Sequence, residues 1–436
     1  MVTIYQQRLK PLSSINSRIF WILIFIITGV SARADHPNEN KTYRDNIKTV
    51  LLYKQGFEMS APVITLNTGE KIILSFDDLE GDLKRYKYTI VHCESDWTTS
   101  ADLTQNDWIS GFTEDDLYQY SYSYNTTVHY THYSLVFPST NLKPKISGNY
   151  VFRVFLDDPS NVILTRRFMI LEQSPAGITG EAHQTDNTTV RFTNQQVDFV
   201  IHLNGMNVTD PSRELKVIVT QNDRWDNAIV NLKPKFSRGN ELDYNYNGEY
   251  TFPGGNEFRA VDIKSLLYQT ENIRKIESDT GGIEVWLLDD SRRTTKNYAS
   301  DKDINGRMLI KSEDHVQNSD IEADYAWVHF FLPTGVYFPN GKICILGALT
   351  DWQTNEQSFM TYNPLLKGYE KRLLLKQGYY NYLYVFKDNK TGTADAALIE
   401  GNHWETENVY TVWVYYHETG GLYDRLIAVQ NLGTIH

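Results

Sequence analysis

An alternation of apolar and polar residues with a period of two runs through most of this chain from Lys48 onward. Such a pattern is typical of β-strands, because successive side chains point to opposite faces of a sheet. Helical periodicity is nowhere sustained beyond two turns. The clearest example carries Tyr150, Phe152, Val154 and Leu156 on one strand face, then a turn at Asp157–Asn161 and a closing strand at Arg167–Glu172.

Two polar stretches divide the alternation into three blocks. Gln173–Gly177, rich in Ser, Pro and Gly, ends the first block, and a stretch from Asp289 to Asn305 ends the second. Blocks of ~100–140 residues have the size of single β-sandwich domains. The sequence therefore predicts an all-β protein of three consecutive immunoglobulin-like β-sandwich domains, at 35–173, 178–300 and 305–436.

The first 34 residues have the features of a secretory signal peptide. Basic residues without an acidic one precede the apolar run Ile19–Val30, and Ala32-Arg33-Ala34 supplies the small-x-small cleavage pattern. A membrane anchor is the alternative, but the run has only ~12 residues and a spanning helix needs ~20. We expect cleavage after Ala34, export to the periplasm and no direct membrane insertion.

The chain is acidic, with a formal net charge of −12. Loss of residues 1–34 removes four positive charges (Arg8, Lys10, Arg18 and Arg33) and no negative one, which gives −12 − 4 = −16. Because the sequence shows no basic patch, it argues against nucleic acid and against anionic lipid as partners.

Two cysteines, Cys93 and Cys344, lie in strand-like runs of different predicted domains. A disulfide is possible in an oxidising compartment, although disulfide scaffolds are usually richer in cysteine. We expect a buried free thiol at each position.

Two phrases in the middle of the chain, Gln221–Ile229 and Phe252–Ile263, together resemble the plug protein family of the bacteroidete type IX secretion system. Further phrases that resemble this family, in the same order, are His92–Trp97, Thr131–Tyr133, Ser147–Tyr150, Glu400–Trp404 and Tyr423–Ile427. The resemblance covers nearly the whole mature chain.

The resemblance implies a non-catalytic periplasmic plug or adaptor, monomeric when free and held at the outer membrane by its partner. That partner would be the large outer-membrane β-barrel translocon, whose periplasmic mouth the plug seals. Candidate partner-contact residues are Trp225, Asn256, Glu257 and Arg259. Their alternative role is structural, since Gly254 and Gly255 allow a tight turn there and Trp225 can pack in a domain core.

The third block carries a competing resemblance. Gly347–Trp352 and Lys376–Phe386 resemble the early-set immunoglobulin-like sugar-binding modules, which stack aromatic rings on sugars. The alternative function is therefore a glycan-binding protein of a polysaccharide-utilisation or cell-surface system, with Trp352 and Tyr380 as candidate glycan contacts. Leu349 and Thr350 depart from the family phrase, which favours a packing role for the aromatic residues.

The sequence predicts no enzyme, no cofactor and no metal site. Asp301–Gly306 imitates the start of a calcium loop, but Ser312 stands where a bidentate Glu is needed, so we expect a polar turn. His129 and His132 are three apart in a strand-like run, which sends them to opposite faces. The acidic residues Asp77, Asp78, Glu80 and Asp82 around Gly81 are expected to form a solvated turn.

Overall fold

The computed structural model describes residues 38–314 and 316–434. In this part of the chain, paired β-strands form several sheets. The predicted signal peptide lies outside these residues. The first strands are β1 (Lys41–Thr42), β2 (Ile47–Lys54), β3 (Val63–Thr65), β4 (Ile72–Asp78), β5 (Tyr86–Cys93), β6 (Ile109–Gly111), β7 (Asp115–Asp116), β8 (Gln119–Tyr122), β9 (Thr131–Phe137), β10 (Leu142–Pro144), β11 (Gly148–Leu156) and β12 (Val162–Leu171), with the short helix α1 (Gln105–Trp108).

The first sandwich is built from these strands alone. One sheet has the order β1-β12-β11-β5-β7, with β3 parallel to β12, and the facing sheet has the order β2-β4-β9-β8. Strand β9 shows the alternation most clearly, since Tyr133, Leu135 and Phe137 are buried and the residues between them are half-buried. Strand β11 is buried on both faces, because Val151 contacts a second sandwich.

The remaining strands form two more sandwiches. They are β13 (Gly177–Gln184), β14 (Asn194–His202), β15 (Leu215–Gln221), β16 (Arg224–Leu232), β17 (Phe236–Arg238), β18 (Glu241–Asp243), β19 (Phe252–Pro253), β20 (Arg259–Asp262), β21 (Ile273–Asp279), β22 (Gly282–Leu287), β23 (Met308–Ile310), β24 (Tyr325–Pro333), β25 (Gly341–Leu346), β26 (Thr361–Asn363), β27 (Gly368–Lys376), β28 (Gly378–Asp388), β29 (Ala394–Asp395), β30 (Val409–Tyr416) and β31 (Arg425–Gly433). The short helices are α2 (Pro211–Glu214), α3 (Ser319–Glu322) and α4 (Ala397–Glu400), with one 3-10 turn at Ala348–Thr350.

The second sandwich is discontinuous in sequence. One sheet is β13-β14-β18-β17, with β19 beside β14, and the other is β16-β15-β30-β31. Its core therefore combines residues between Ile178 and Phe252 with residues between Tyr410 and Leu432. The third sandwich, with a core between Val261 and Ile399, is inserted between β19 and β30.

The strand pairing departs from the predicted domain boundaries on both sides of this insertion. Strands β20 to β22, expected in the second domain, belong to sheets of the third, and β30 and β31, expected in the third, complete the second. The chain leaves and rejoins the second sandwich at one place, because the His403 amide donates to the Gly255 carbonyl at 2.8 Å. The all-β fold class is confirmed, with strands from distant parts of the sequence sharing sheets.

Buried polar contacts join the sandwiches to one another. Asp77 of β4 accepts from the Lys376 ammonium and the Tyr325 hydroxyl of the third sandwich, each at 2.7 Å. Asn149 of β11 accepts from the hydroxyl of Tyr415 of the second at 2.8 Å. Within the described residues, no helix is both long and apolar enough to cross a membrane.

Candidate functional site

Trp225, a predicted partner contact, lies where the first and second sandwiches meet. Its ring lies 5.0 Å from that of Trp97, in the loop after β5, and 5.5 Å from that of Trp413 on β30. The Arg167 guanidinium lies 4.3 Å from the Trp97 ring centre, a cation–π distance. Trp225 therefore packs against another sandwich as well as its own, and it fixes the position of the two sandwiches.

Trp352, a predicted glycan contact, faces the same junction from the third sandwich. It follows the 3-10 turn with a positive φ of 56°, and the Arg224 guanidinium lies 5.3 Å from its ring centre. Gly306 lies beneath the ring, and a Cβ at that position would come within 2.3 Å of it. The two tryptophans line one cavity of about 200 Å³ where the three sandwiches meet.

Ion pairs line this cavity, so most of the charged side chains around it already have partners within the chain. Arg307 of the third sandwich pairs with Asp223 of the second. Arg166 of the first sandwich pairs with Asp351 of the third at 2.8 Å. The cavity therefore lies at a joint between the sandwiches, and the guanidinium groups of Arg307 and Arg166 are already bonded to carboxylates.

Asn256, a second predicted partner contact, is buried in the connection from the second sandwich to the third. Its amide donates to the Glu400 carbonyl at 2.7 Å, and its side-chain oxygen accepts from the Glu257 amide at 2.9 Å. Gly255, with φ of 72°, supplies the left-handed turn that the sequence predicts there. The Asn256 side chain closes this turn and leaves no polar group for a partner.

Glu257 is buried beside this turn and has an unusual proton affinity. Burial raises the pKa of its carboxyl to about 7, and the charge of Asp303 adds to the rise. The Tyr298 hydroxyl at 2.5 Å and the Glu407 amide at 3.1 Å donate to the carboxyl and oppose the shift. Burial also raises the pKa of Asp303, so neither carboxyl of this neighbouring pair is stabilised in its charged form by burial.

Arg259 on β20 is part of a buried network of charged side chains. Its guanidinium donates to both oxygens of the fully buried Glu400, at 3.0 and 2.9 Å, and to Asp290 at 2.7 Å. Arg293 also donates to Glu400, at 2.7 Å. This network ties the inserted sandwich to its own connecting loop, so Arg259 acts as a structural residue here.

Tyr380, the other predicted glycan contact, lies inside the third core. It is 2% exposed, and its hydroxyl donates to the Lys376 carbonyl at 2.5 Å. A sugar needs an open aromatic face, so Tyr380 cannot stack on one in this fold. Since the Trp352 ring packs against Phe258, with ring centres 6.0 Å apart, and against Arg224, the proposed sugar platform is replaced by internal packing.

The acidic residues around Gly81 do not form the solvated turn that the sequence predicts. Asp77 and Asp78 are fully buried on β4, and only Glu80 and Asp82 are exposed. The Lys84 ammonium lies 2.6 Å from Asp78 and 3.2 Å from Asp82, and also pairs with Glu80. A lysine therefore occupies the place that a cation would take among these carboxylates.

Asp77 is held ionised by the Lys376 ammonium of the third sandwich and by a hydrogen bond with His132 of the first. Burial alone would raise its pKa, but the Lys376 charge and the bond from His132 outweigh burial and hold the pKa below its usual range. The His132 imidazole lies 2.6 Å from Asp77, as in half of a catalytic triad. Ser121 is paired with His132 across the sheet, yet no hydrogen bond joins their side chains among the described residues.

A second group of possible metal ligands lies between the first and second sandwiches. Glu94, His417 and Asp424 bring ligand atoms within 4.8 Å of one another. Lys216 donates to Asp424 at 2.8 Å, and the Ser95 amide donates to it at 2.9 Å. Because these bonds neutralise and saturate the carboxylate, the group acts as an interface contact. Cys93 and Cys344 are buried and free, which confirms the prediction of two thiols.

The edge strand β8 is the surface feature that the sequence analysis did not single out. Tyr118, Tyr120, Tyr122 and Tyr124, on or beside it, are 68%, 42%, 53% and 69% exposed. They alternate with small or amide residues, so their rings project from one face of the strand. The signal was present in the sequence as a run of tyrosines with a period of two. We take β8 as the candidate docking surface, because contiguous exposed aromatic area marks interaction sites.

One comparison with known proteins names a family, and a second finds a solved structure of similar fold. A family profile described as the type 9 secretion system plug protein 1st domain matches residues 47–172, which contain β2 to β12 and the core of the first sandwich. The crystal structure of a hypothetical protein from Parabacteroides merdae is 34% identical, with a TM-score of 0.86, over 91% of this chain and 99% of that one.

Two further comparisons add no functional information. The C-terminal domain of the Streptococcus agalactiae AgI/II polypeptide BspA aligns over 89% of this chain and 100% of that chain, at 7% identity and a TM-score of 0.14. A TM-score this low carries no argument about fold. A search among curated proteins finds no match.

Proposed function

Because this chain belongs to the type IX secretion system plug protein family, we propose that it is a periplasmic plug, exported by a cleaved signal peptide, which docks on the periplasmic mouth of the outer-membrane translocon barrel and seals it. The match of the family profile to the whole core of the first sandwich is the observation that carries this proposal. A barrel wide enough for folded cargo would leak unless its inner mouth were covered. The likeness to the P. merdae structure extends the same architecture over the other two sandwiches.

The contacts between the three sandwiches suit a plug that must keep its shape. Each pair of sandwiches is joined by buried or half-buried contacts: Asp77 with Lys376, Trp97 with Trp225, and Asp223 with Arg307. Domains linked only by flexible connections move relative to one another by default. Contacts of this kind at every joint favour one arrangement, which a seal needs.

We propose that the role is non-catalytic. The side chains with perturbed chemistry, Glu257, Asp77 and Asp424, are each bonded to partners within the fold. Sealing needs shape and binding energy only, and a stable docking surface should bury at least ~1,000 Å². The glycan-binding alternative has lost its support, because Tyr380 is buried and Trp352 is packed at a joint.

Deletion of the protein tests the proposal. We expect the outer membrane to admit large solutes such as vancomycin, because the barrel stays open, while cargo export continues at least in part. A strain that lacks both this protein and the barrel is the control, and its sensitivity should return to normal. Normal permeability in the single deletion strain, with the barrel present, would contradict sealing.

A further inference from the structure

Strand β8 presents an unpaired row of backbone groups to solvent. It is the edge of the sheet β2-β4-β9-β8. The Ser123 amide donates to the Tyr130 carbonyl of the segment that leads into β9, at 2.8 Å. Since the direction of backbone groups alternates along a strand, the amides and carbonyls of Tyr120 and Tyr122 point away from β9. Among the described residues, nothing pairs with these outward groups.

The next outward-pointing amide of this row, that of Tyr124, already has a hydrogen-bond partner. The Tyr124 amide donates to the Ile321 carbonyl of α3 in the third sandwich, at 2.8 Å. The turn that follows is fixed as well, because the Thr127 amide donates to Asp324 at 2.6 Å. The Tyr130 hydroxyl donates to the Ala323 carbonyl at 2.8 Å. The edge is thus held rigidly at one end, which lowers the entropic cost of binding there.

The tyrosines next to the open backbone groups form a ready contact surface. The ring of Tyr120 lies 5.9 Å from that of Tyr122 and 6.2 Å from that of the buried Tyr133. Tyrosine offers a large amphipathic contact area at low conformational cost, which is why binding loops use it heavily. An added strand would place alternate side chains against these rings.

Charged residues and proline, two usual protections of an edge strand, are missing from this segment, although β8 itself is short, with four residues. From Leu117 to Thr131 the sequence contains no Asp, Glu, Lys, Arg or Pro, in a chain with 22% charged residues. Natural sheets block exposed edges with charges, proline or bulges, since an open edge invites pairing with another chain. An uncharged, solvent-exposed edge of this kind indicates a position that is filled in a complex.

Charge decides which occupant fits the edge. A second copy of the chain without residues 1–34 would bring together two molecules of net charge −12 − 4 = −16, which disfavours self-pairing. At the Tyr124 end, the exposed Asp320 and the half-buried Glu322 of α3 lie next to the edge. At the other end, Arg85 and Lys87 already pair with Asp116 and Glu114. The favoured occupant is uncharged in its middle and basic where it meets α3.

We propose that β8 is a strand-addition site. Its occupant is an extended segment of the translocon barrel protein, uncharged over the length of β8 and carrying Lys or Arg at the end next to Asp320. Backbone bonds to Tyr120 and Tyr122 hold the segment, and the tyrosine rings select its side chains. The identity of the occupant rests on the proposed function, whereas the geometry of the acceptor edge does not.

The first experiment measures how much barrel protein is recovered with the tagged full-length chain from outer membranes. Tyr122→Pro removes an outward amide without touching the bonds to β9, and Tyr122→Lys adds the missing charge. We expect both variants to recover at least tenfold less barrel. Tyr122→Ala, which removes only the ring, should fall between these variants and the unchanged protein. Tyr250→Ala, an exposed tyrosine of the second sandwich, should recover the normal amount.

The second experiment tests the edge without the barrel. The purified full-length chain, labelled with ¹⁵N at tyrosine, is mixed with a synthetic peptide of alternating Thr and Val with two Lys at one end. We expect slower hydrogen exchange at the amides of Tyr120 and Tyr122. The Tyr250 amide should be unchanged, and a peptide of the same composition with proline at alternate positions should give no protection.

The outcomes separate the two proposals. Normal barrel recovery with Tyr122→Pro and Tyr122→Lys overturns the strand-addition proposal and leaves the plug role intact. Failure of even the unchanged protein to recover the barrel overturns both the plug role and the named occupant, and the exchange experiment then decides whether β8 accepts a strand at all. Dimers of the free chain that Tyr122→Lys dissociates would show a second copy as the occupant and overturn the proposal. Unchanged thermal unfolding shows that a variant is folded.

Discussion

Two buried carboxylates, Glu257 and Asp77, have pKa values shifted in opposite directions, which shows how neighbouring groups decide ionisation in this protein. The pKa of Glu257 is raised to about 7 because burial dominates and the charge of Asp303 adds to it. The pKa of Asp77 is lowered, although it is just as buried, because the Lys376 ammonium and the His132 ring offset the cost of burial. Burial alone therefore does not predict the charge state; the nearest cation does.

Glu257 should make the folded state less stable as the pH rises through 7. A carboxyl whose pKa is raised from 4.5 to about 7 on folding binds more protons when folded, so its contribution is greatest below pH 4.5 and is lost as the pH passes 7. Glu257→Gln mimics the protonated form. We expect this variant to be more stable than the unchanged protein at pH 8, by roughly 1–3 kcal/mol, and to match it near pH 4.5.

Melting temperatures of both proteins across this pH range provide the measurement. The Glu277→Gln variant, at an exposed ion pair with Lys275, is the matched control and should change little at any pH. A difference between Glu257→Gln and the unchanged protein that does not vary with pH would contradict the assignment.

Asp77 and Lys376 form a buried pair that should respond strongly to the loss of one member. Asp77→Asn leaves the Lys376 ammonium buried without its counter-charge, which costs about 3–5 kcal/mol of unfolding free energy. The double variant Asp77→Asn/Lys376→Met removes the unpaired charge and should lose less than the sum of the two single changes. Urea denaturation of the four proteins measures these differences, and additive losses would show that the pair is not coupled.

At the scale of elements, what the sequence could predict depends on how local the signal is. The alternation at Tyr150–Leu156 predicts β11, and the left-handed turn at Gly255 is predicted from the glycine pair. The pairing of β15 with β30 could not be predicted, because the pattern of a strand gives its faces but not its neighbour. The same limit hid the exposure of the tyrosines of β8, which depends on the edge position.

For the candidate site, too, the sequence predicted some features and could not predict others. Trp225 and Trp352 were singled out by two unrelated family phrases, and the structure brings them to one cavity. Their role as joints depends on the contact of Trp225 with Trp97 and on that of Trp352 with Arg224, and the two residues of each pair lie far apart in the sequence. Sequence reasoning found the residues and could not find what they contact.

Removal of the inserted sandwich tests this arrangement of elements. We expect a chain in which Gly255 is joined directly to His403 to fold, because these residues are already hydrogen-bonded at 2.8 Å and both sheets of the second sandwich remain complete. A fragment of residues 178–300, the domain predicted from sequence, should not fold, since it lacks β30 and β31. Near-ultraviolet circular dichroism and thermal unfolding distinguish the two, and the opposite result would contradict the insertion.

At the scale of the whole molecule, the aromatic joint between the first and second sandwiches is the place to separate binding from sealing. Trp225→Ala removes the ring that touches Trp97 and Trp413 and leaves β8 untouched. We expect a loss of about 2 kcal/mol in unfolding free energy, less than for a fully buried tryptophan. On the proposed plug function, we also expect normal recovery of the barrel but greater sensitivity to vancomycin, because a cover with a loose joint leaks.

Trp286→Ala is the control for this prediction. Trp286 stacks on His329 within the third sandwich, at 4.7 Å, so its loss should leave the joint and the seal unchanged. Equal antibiotic sensitivity of the two tryptophan variants would show that stability in general, rather than the joint, sets the tightness of the seal.

The insertion of the third sandwich has a consequence for biogenesis. A chain made from its N-terminus delivers β15 long before β30, with the whole inserted sandwich between them. Until β30 arrives, the edge of β15 that it will cover, with Val217, Ile218 and Val219, has no cover. Such a waiting edge can pair with the wrong chain. Nascent copies of this protein should therefore depend on a holdase chaperone more than proteins with sequential domains do.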